Sequence, residues 1–198
     1  MDAPTKDSIT LIDANCCIYY SIRLESYNVM GRWTKTIEHY VNKSKEKEAC
    51  IAYTDYIKEE SERNLVKQLR ESSRGSTLER SDLIFMKCKN RCAERMRSLF
   101  SRITPVALPC SLKEIDNARD FYRNHSAKKN AGKTETPSEN DLRLLAGTQN
   151  HKGHNTKRIL SDDGHFTAYA PEILKEYDVR IQALNDLEND LIRWGWKR

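Results

Sequence analysis

The sequence predicts an α/β domain built on a central, mainly parallel sheet. Two observations lead there. Four short β-branched or apolar runs, "SITLID" (8–13), "ACIAYT" (49–54), "KRILS" (157–161) and "VRIQAL" (179–184), are separated by segments whose apolar residues recur at helical spacing. The chain also has 198 residues, 38% of them hydrophobic and 32% charged, which suits one domain with a modest core and long, solvated helices.

Each element follows from its residues. "SITLID" alternates and is β-branched, so it reads as a strand, at least partly buried, that ends at Asp13. "ANCCIYYSIRLESY" turns to helical spacing through Cys17, Tyr20 and Leu24. A second helix is predicted over 34–47, with Ile37, Tyr40 and Val41 facing inward. After the second strand, Thr54 or Asp55 caps a helix running to about residue 71, with Ile57, Leu65 and Leu69 as its apolar positions. The break "SSRGS" (72–76) precedes a Lys- and Arg-rich helix over 77–102, in which Leu83, Phe85, Met96, Leu99 and Phe100 are available for packing.

"TPVALP" (104–109) ends that helix, and another is predicted over 111–125. "NHSAKKNAGKTETPS" (124–138) is the least structured stretch by composition. "SENDLRLLAGTQ" (138–149) carries a strong helix-start signal: Ser138 as N-cap, acids in the first turn and a leucine face. A short helix "PEILKEY" (171–177) follows the third strand, and a C-terminal helix over 185–196 follows the fourth. There is no internal repeat.

Composition excludes some classes. No apolar run approaches the ~20 residues needed to span a bilayer. "MDAPTKDSIT" has neither the basic nor the apolar region of a secretory leader, so the expected location is cytoplasmic. Of the six cysteines, Cys16 and Cys17 are adjacent, Cys88 and Cys92 are four apart, and Cys50 and Cys110 stand alone. Without a CxxC pair, neither a zinc site nor a disulfide framework is expected, and the thiols read as small packing residues. "HxxH" at His151 and His154 reads as a surface loop. A net charge of +5 permits a polyanionic partner without requiring one.

The carboxylates are more informative. In parallel sheets, binding sites form at the carboxyl ends of strands, and both Asp13 and the "SDDGHF" acids Asp162 and Asp163 fall at such ends. Grouped, unpaired carboxylates raise one another's pKa, and a divalent cation is the usual reason to tolerate them, since Mg²⁺ and Mn²⁺ prefer hard oxygen ligands. Two more segments bring acids to that rim: "YIKEESERNL", with Glu59 and Glu60, and "SENDLRLLA", with Glu139 and Asp141.

These segments resemble the four motifs of PIN-domain ribonucleases. "LIDANCCIYY" resembles the opening strand and its D-x-N; "YTDYIKEESERNL" is similar to the second motif, "SENDLRLLA" to the third, and "RILSDDGHF" to the fourth. All four occur in the expected order. The resemblance implies a single PIN-like domain over 1–198: a Rossmann-like three-layer sandwich with a helical insertion around 72–137. Carried over position by position, its metal-site acids fall on Asp13, Glu60, Asp141 and Asp163, which would hold Mg²⁺ or Mn²⁺. Asn15 and Ser161 match the supporting polar residues, and Glu59, Glu139 and Asp162 fall beside the ligands as capping or supporting groups. Two departures stand out: His165 occupies a position where many members carry another acid, and 66–137 is longer than in the small toxin-type members.

What the resemblance implies about activity is metal-dependent hydrolysis of single-stranded or loop RNA, in a toxin or an RNA-processing enzyme, leaving a 5′-phosphate and a 3′-hydroxyl. An antitoxin protein and a homodimer are further possible partners, and no membrane partner is expected. Arg123, Lys128, Lys129 and Lys133, just before the third motif, are the nearest cations for RNA. Tyr19, Tyr20 and Phe166 could stack on bases, although core packing is the stronger reading of all three. Two other classes compete. One is a PIN-like module that binds RNA or protein with little activity. The other is a haloacid-dehalogenase-type phosphatase, which wants a second Asp where this chain has Asn15.

Overall fold

The computed structural model describes residues 3–22, 28–73, 82–129 and 137–196. Five strands form one parallel sheet: β1 (Ser8–Ile12), β2 (Cys50–Tyr53), β3 (Thr104–Pro105), β4 (Thr156–Leu160) and β5 (Val179–Gln182), in the order β3-β2-β1-β4-β5. β1 is central and buried along its whole length, as a parallel strand covered on both faces must be. Its polar members are satisfied internally: the Thr10 hydroxyl lies 2.8 Å from the Tyr40 hydroxyl, and Ser8 Oγ donates to the Thr5 carbonyl at 2.6 Å.

From β1 the chain winds outward through β2 to β3, then returns to the other side of β1 as β4 and continues to β5. The order therefore reverses between β1 and β4, and the crevice at the carboxyl ends of these two strands is the expected ligand position in such a sheet. They are in register, Ile12 opposite Leu160, so Asp13 and Ser161 leave the sheet side by side. The adjacency predicted from the paired rim acids holds.

The helices flank the sheet. α1 (Ala14–Ser21) packs on α2 (Asn28–Glu46), α3 (Asp55–Ser73) and α4 (Asp82–Phe100). α5 (Leu112–Lys129) packs on α6 (Glu139–Asn150), and α6 touches β4 and α8 (Ala170–Tyr177). A single-turn α7 (Gly164–Thr167) follows β4, and α9 (Leu184–Arg193) lies against α2. The inward positions read from spacing are buried: Cys17, Tyr20, Ile37, Tyr40, Val41, Ile57, Leu65 and Leu69. Cys16, Cys17 and Cys92 are buried free thiols. Among the described residues, no helix is long and apolar enough to cross a membrane.

Three expectations change. The stretch expected as a helical insertion also supplies the edge strand β3. This strand is only two residues long and contains Pro105, which an edge tolerates because its missing N–H would have no ladder partner. α5 continues to Lys129, so the start of the segment that looked unstructured is helical, while 130–136 and 74–81 lie outside the described residues. Leu83, expected in packing, is 67% exposed at the start of α4. Gly164 opens α7, and Gly195 is the glycine with positive φ among the described residues.

Candidate functional site

Asp13 ends β1 and caps α1: its Oδ1 accepts from the Ala14 N–H at 2.6 Å. Its Oδ2 accepts from Ser161 Oγ at 2.6 Å, across the β1–β4 junction. Ser161 in turn accepts from the Asp163 N–H at 3.0 Å, so one buried hydroxyl ties both rim acids together. Asp13 is 4% exposed and has only neutral donors. Burial pushes its carboxyl up to about 7; the Ser161 bond opposes this, and the charges of Asp141 and Asp163 add to it.

Asp163 is the N-cap of α7. Its Oδ1 accepts from the His165 N–H at 2.7 Å and lies 2.8 Å from His165 Nδ1. The His165 side chain holds this carboxyl below its ordinary value, against the opposing effect of burial. Asp141 enters from α6, whose start is a full capping box: Ser138 Oγ accepts from the Asp141 N–H at 3.2 Å, and Asp141 Oδ2 accepts from the Ser138 N–H at 2.8 Å. Burial raises the Asp141 carboxyl despite these bonds, and the Asp163 and Glu60 charges contribute. His165 Nδ1 lies 4.0 Å from Asp141 Oδ2, between the two acids. Glu60 completes the group from α3, its Oε2 accepting from Asn140 Nδ2 at 2.7 Å.

All four acids line one pocket of about 290 Å³ at the carboxyl end of the sheet, together with Asn15, Tyr19, Asn64, Gln68, Ser138 and His165. No Lys or Arg is among its described lining residues. Within two of the acid pairs the structure separates the members. Glu60 faces the pocket while Glu59 is exposed on α3. Asp163 lines the pocket, while Asp162 Oδ1 accepts from the Leu184 N–H at 3.4 Å. Asn15 Oδ1 is 3.5 Å from the Asp162 N–H and steadies the same loop from α1.

Other expected residues lie elsewhere. Glu139, expected to support the site, pairs with Arg143 on the exposed face of α6, because position 139 sits one side of the capping box and Asp141 the other. Arg123 is exposed and pairs with Asp120 at 3.2 Å. The side chains of Lys128 and Lys129, and the whole of Lys133, lie outside the described residues. Tyr20 and Phe166 are core residues, leaving Tyr19 as the aromatic of the three that reaches the pocket. His151 and His154 stack on each other with Nε2 and Nδ1 2.9 Å apart, remote from the acids in the sequence-predicted loop.

Sequence reasoning missed the roles of Asn64, Gln68, Asn140 and His165. Asn64 and Gln68 follow Glu60 at four-residue steps, so helical spacing could have found them. Asn140 could not be found that way, since it meets Glu60 across 80 residues of chain.

The donor chemistry fits a hard divalent cation: carboxylate oxygens from four segments, one of them deeply buried without a countercharge. Each bonded oxygen keeps a second lone pair. The oxygens are nevertheless not gathered, and no three His, Cys, Asp or Glu side chains among the described residues form a ready metal-holding group. No protein-family model matches the chain, and no curated protein matches it. What is established is an α/β domain with a five-stranded parallel sheet and an acidic pocket at its switch point.

Proposed function

We propose that the protein is a PIN-like, divalent-metal-dependent endoribonuclease acting on single-stranded or loop RNA. The observation that carries this reading is the meeting of Asp13, Glu60, Asp141 and Asp163, from four separate segments, in one pocket beside the β1–β4 junction. Like charges lining one pocket at a strand switch point cost stability unless something positive is bound there.

Asp13, Glu60, Asp141 and Asp163 would hold Mg²⁺ or Mn²⁺. A divalent cation in such a site supplies water activation and neutralises charge developing on the phosphodiester. The chain's own residues do the positioning. Ser161 fixes Asp13 and the loop carrying Asp163 in one orientation, and Asn140 holds Glu60 toward the pocket. The capping box engages Asp141 through Oδ2 and leaves its other oxygen uncommitted. His165 aims Asp163 by its 2.8 Å contact.

A second reading, a PIN-like RNA- or protein-binding module with little activity, draws on a specific observation as well: His165 engages Asp163, and the acids are not gathered as they stand. One assay separates them. Labelled single-stranded RNA is incubated with the protein and millimolar Mn²⁺ or Mg²⁺, with and without a chelator. Chelator-sensitive cleavage leaving 5′-phosphate ends is expected. RNA that is bound but stays intact would favour the binding module, and RNA neither bound nor cut would remove the nuclease and leave only a protein-binding module.

A further inference from the structure

Besides its acids, the pocket has neutral lining residues. Glu60, Asn64 and Gln68 all line it from α3, and at four-residue steps they form one stripe about 12 Å long. α1 adds Ile18, which is buried, and Tyr19, which is half-buried, to the same lining. Among the described residues, neither the Asn64 nor the Gln68 amide has a hydrogen-bond partner. The pocket therefore brings an apolar residue, an aromatic ring and two amides together with the carboxylates.

We propose that Tyr19, Asn64 and Gln68 form a base-reading subsite for the nucleotide adjoining the bond presented to the four acids. This rests on RNA as the substrate of the pocket. With no Lys or Arg in the lining, these side chains are not built to grip a phosphate. An amide carries both a donor and an acceptor, which is what the edge of an unpaired base requires. An aromatic ring supplies a stacking face. Burial, and then the Asp162 charge, raise the Tyr19 phenol above its ordinary value, so it remains a neutral ring at neutral pH. A paired base cannot offer its edge and both faces at once, so the subsite selects single-stranded RNA.

The test uses one mixed-sequence single-stranded RNA and the full-length chain. Cleavage positions are mapped with Mn²⁺ for the wild type, Asn64→Ala/Gln68→Ala, Tyr19→Ala and Tyr19→Phe. Fluorescence anisotropy measures binding of the same RNA in the Asp163→Asn background. The wild type should favour one base beside the cut, and the double amide variant should reduce that preference roughly tenfold while still cutting. Tyr19→Ala should weaken binding roughly tenfold, and Tyr19→Phe should restore it. Cleavage with the wild-type preference intact in the amide variant, or no preference in the wild type, would overturn the subsite while leaving the nuclease reading in place. Binding that depends on Tyr19 and the amides without any cleavage would keep the subsite and remove the nuclease.

Discussion

Two buried carboxylates in this molecule are treated in opposite ways. Glu188 on α9 is 1% exposed and meets Arg32 of α2 in a bidentate pair, with Arg32 Nε donating at 2.8 Å and Nη2 donating to the other oxygen. Asp13 is buried almost as deeply but has only a backbone amide and a hydroxyl, with Asp141 and Asp163 adding negative charge nearby. The first charge is neutralised within the chain; the second has no cation beside it among the described residues. A parallel sheet can bury an acid for structure or for a ligand, and the presence of an internal cation distinguishes the two.

The sharpest way to break that comparison is to remove a charge from the open site. Asp163→Asn should lower Mn²⁺-dependent RNA cleavage on the order of 10²-fold or more, while circular dichroism stays native. Asn is as good an N-cap as Asp, so α7 keeps its start. Activity retained within a few-fold of wild type would sink the metal-site assignment.

The closed pair should behave the other way round. Arg32→Ala removes the bidentate guanidinium from buried Glu188 and should cost about 2–3 kcal/mol in denaturant unfolding. The figure is below that for an enclosed pair because the Arg32 side chain is 42% exposed and water can replace part of its contact. Replacing both partners, as Arg32→Met with Glu188→Leu, should recover most of the loss. An unchanged unfolding midpoint for Arg32→Ala would show that the pair is not what stabilises Glu188.

Removing the Asp13 charge should cost little or even stabilise the metal-free chain, and the difference should depend on pH. In the folded chain this carboxyl is pushed up to about 7 from an ordinary value of 3.8. Between those values the folded state binds more protons than the unfolded one, so its stabilising contribution is complete at the acid end and is lost as pH rises toward about 7. The wild type should therefore lose stability relative to Asp13→Asn over that window, measured by unfolding in a chelator. Millimolar Mn²⁺ should raise the wild-type Tm and raise that of Asp13→Asn less. A wild-type melting curve indifferent to Mn²⁺ would leave the buried charge of Asp13 without a ligand.

How much of this could be read in advance depended on whether a contact was local. Asp13 and Ser161 were legible because strand ends are marked by composition, and two acid-bearing ends that must meet predict neighbouring strands. Glu60 was separable from Glu59, and Asp141 from Glu139, only through the resemblance to the PIN motifs; that Asp141 rather than Glu139 closes the capping box could not be read from them. β3 was not legible: two residues with a proline carry no periodicity, and only the Val106 N–H donating to the Tyr53 carbonyl at 2.8 Å reveals the pairing. The His165 contact was hidden because it depends on a single turn, α7, bringing position 165 back over its own cap.

The smallest expected effect concerns the other acid of "SDDGHF". Asp162 points away from the pocket, and its Oδ1 accepts from the Leu184 N–H at the start of α9. That helix has Ala183 as N-cap and no side-chain cap of its own, so Asp162 supplies the missing acceptor from the β4–α7 loop. A negative charge at a helix N-terminus also interacts favourably with the helix dipole. Asp162→Asn keeps an oxygen in place and removes only the charge, so it should cost a few tenths of a kcal/mol. Asp162→Ala removes both and should cost about 1 kcal/mol. Both losses should appear in unfolding measurements, with RNA cleavage within a few-fold of wild type. The contrast with Asp163 is then one of direction: adjacent carboxylates at one strand end, one turned into the pocket and one closing a helix behind it. If Asp162→Asn and Asp163→Asn lost cleavage equally, both acids would belong to the site, and the 3.4 Å bond to Leu184 would not describe the working conformation of this loop.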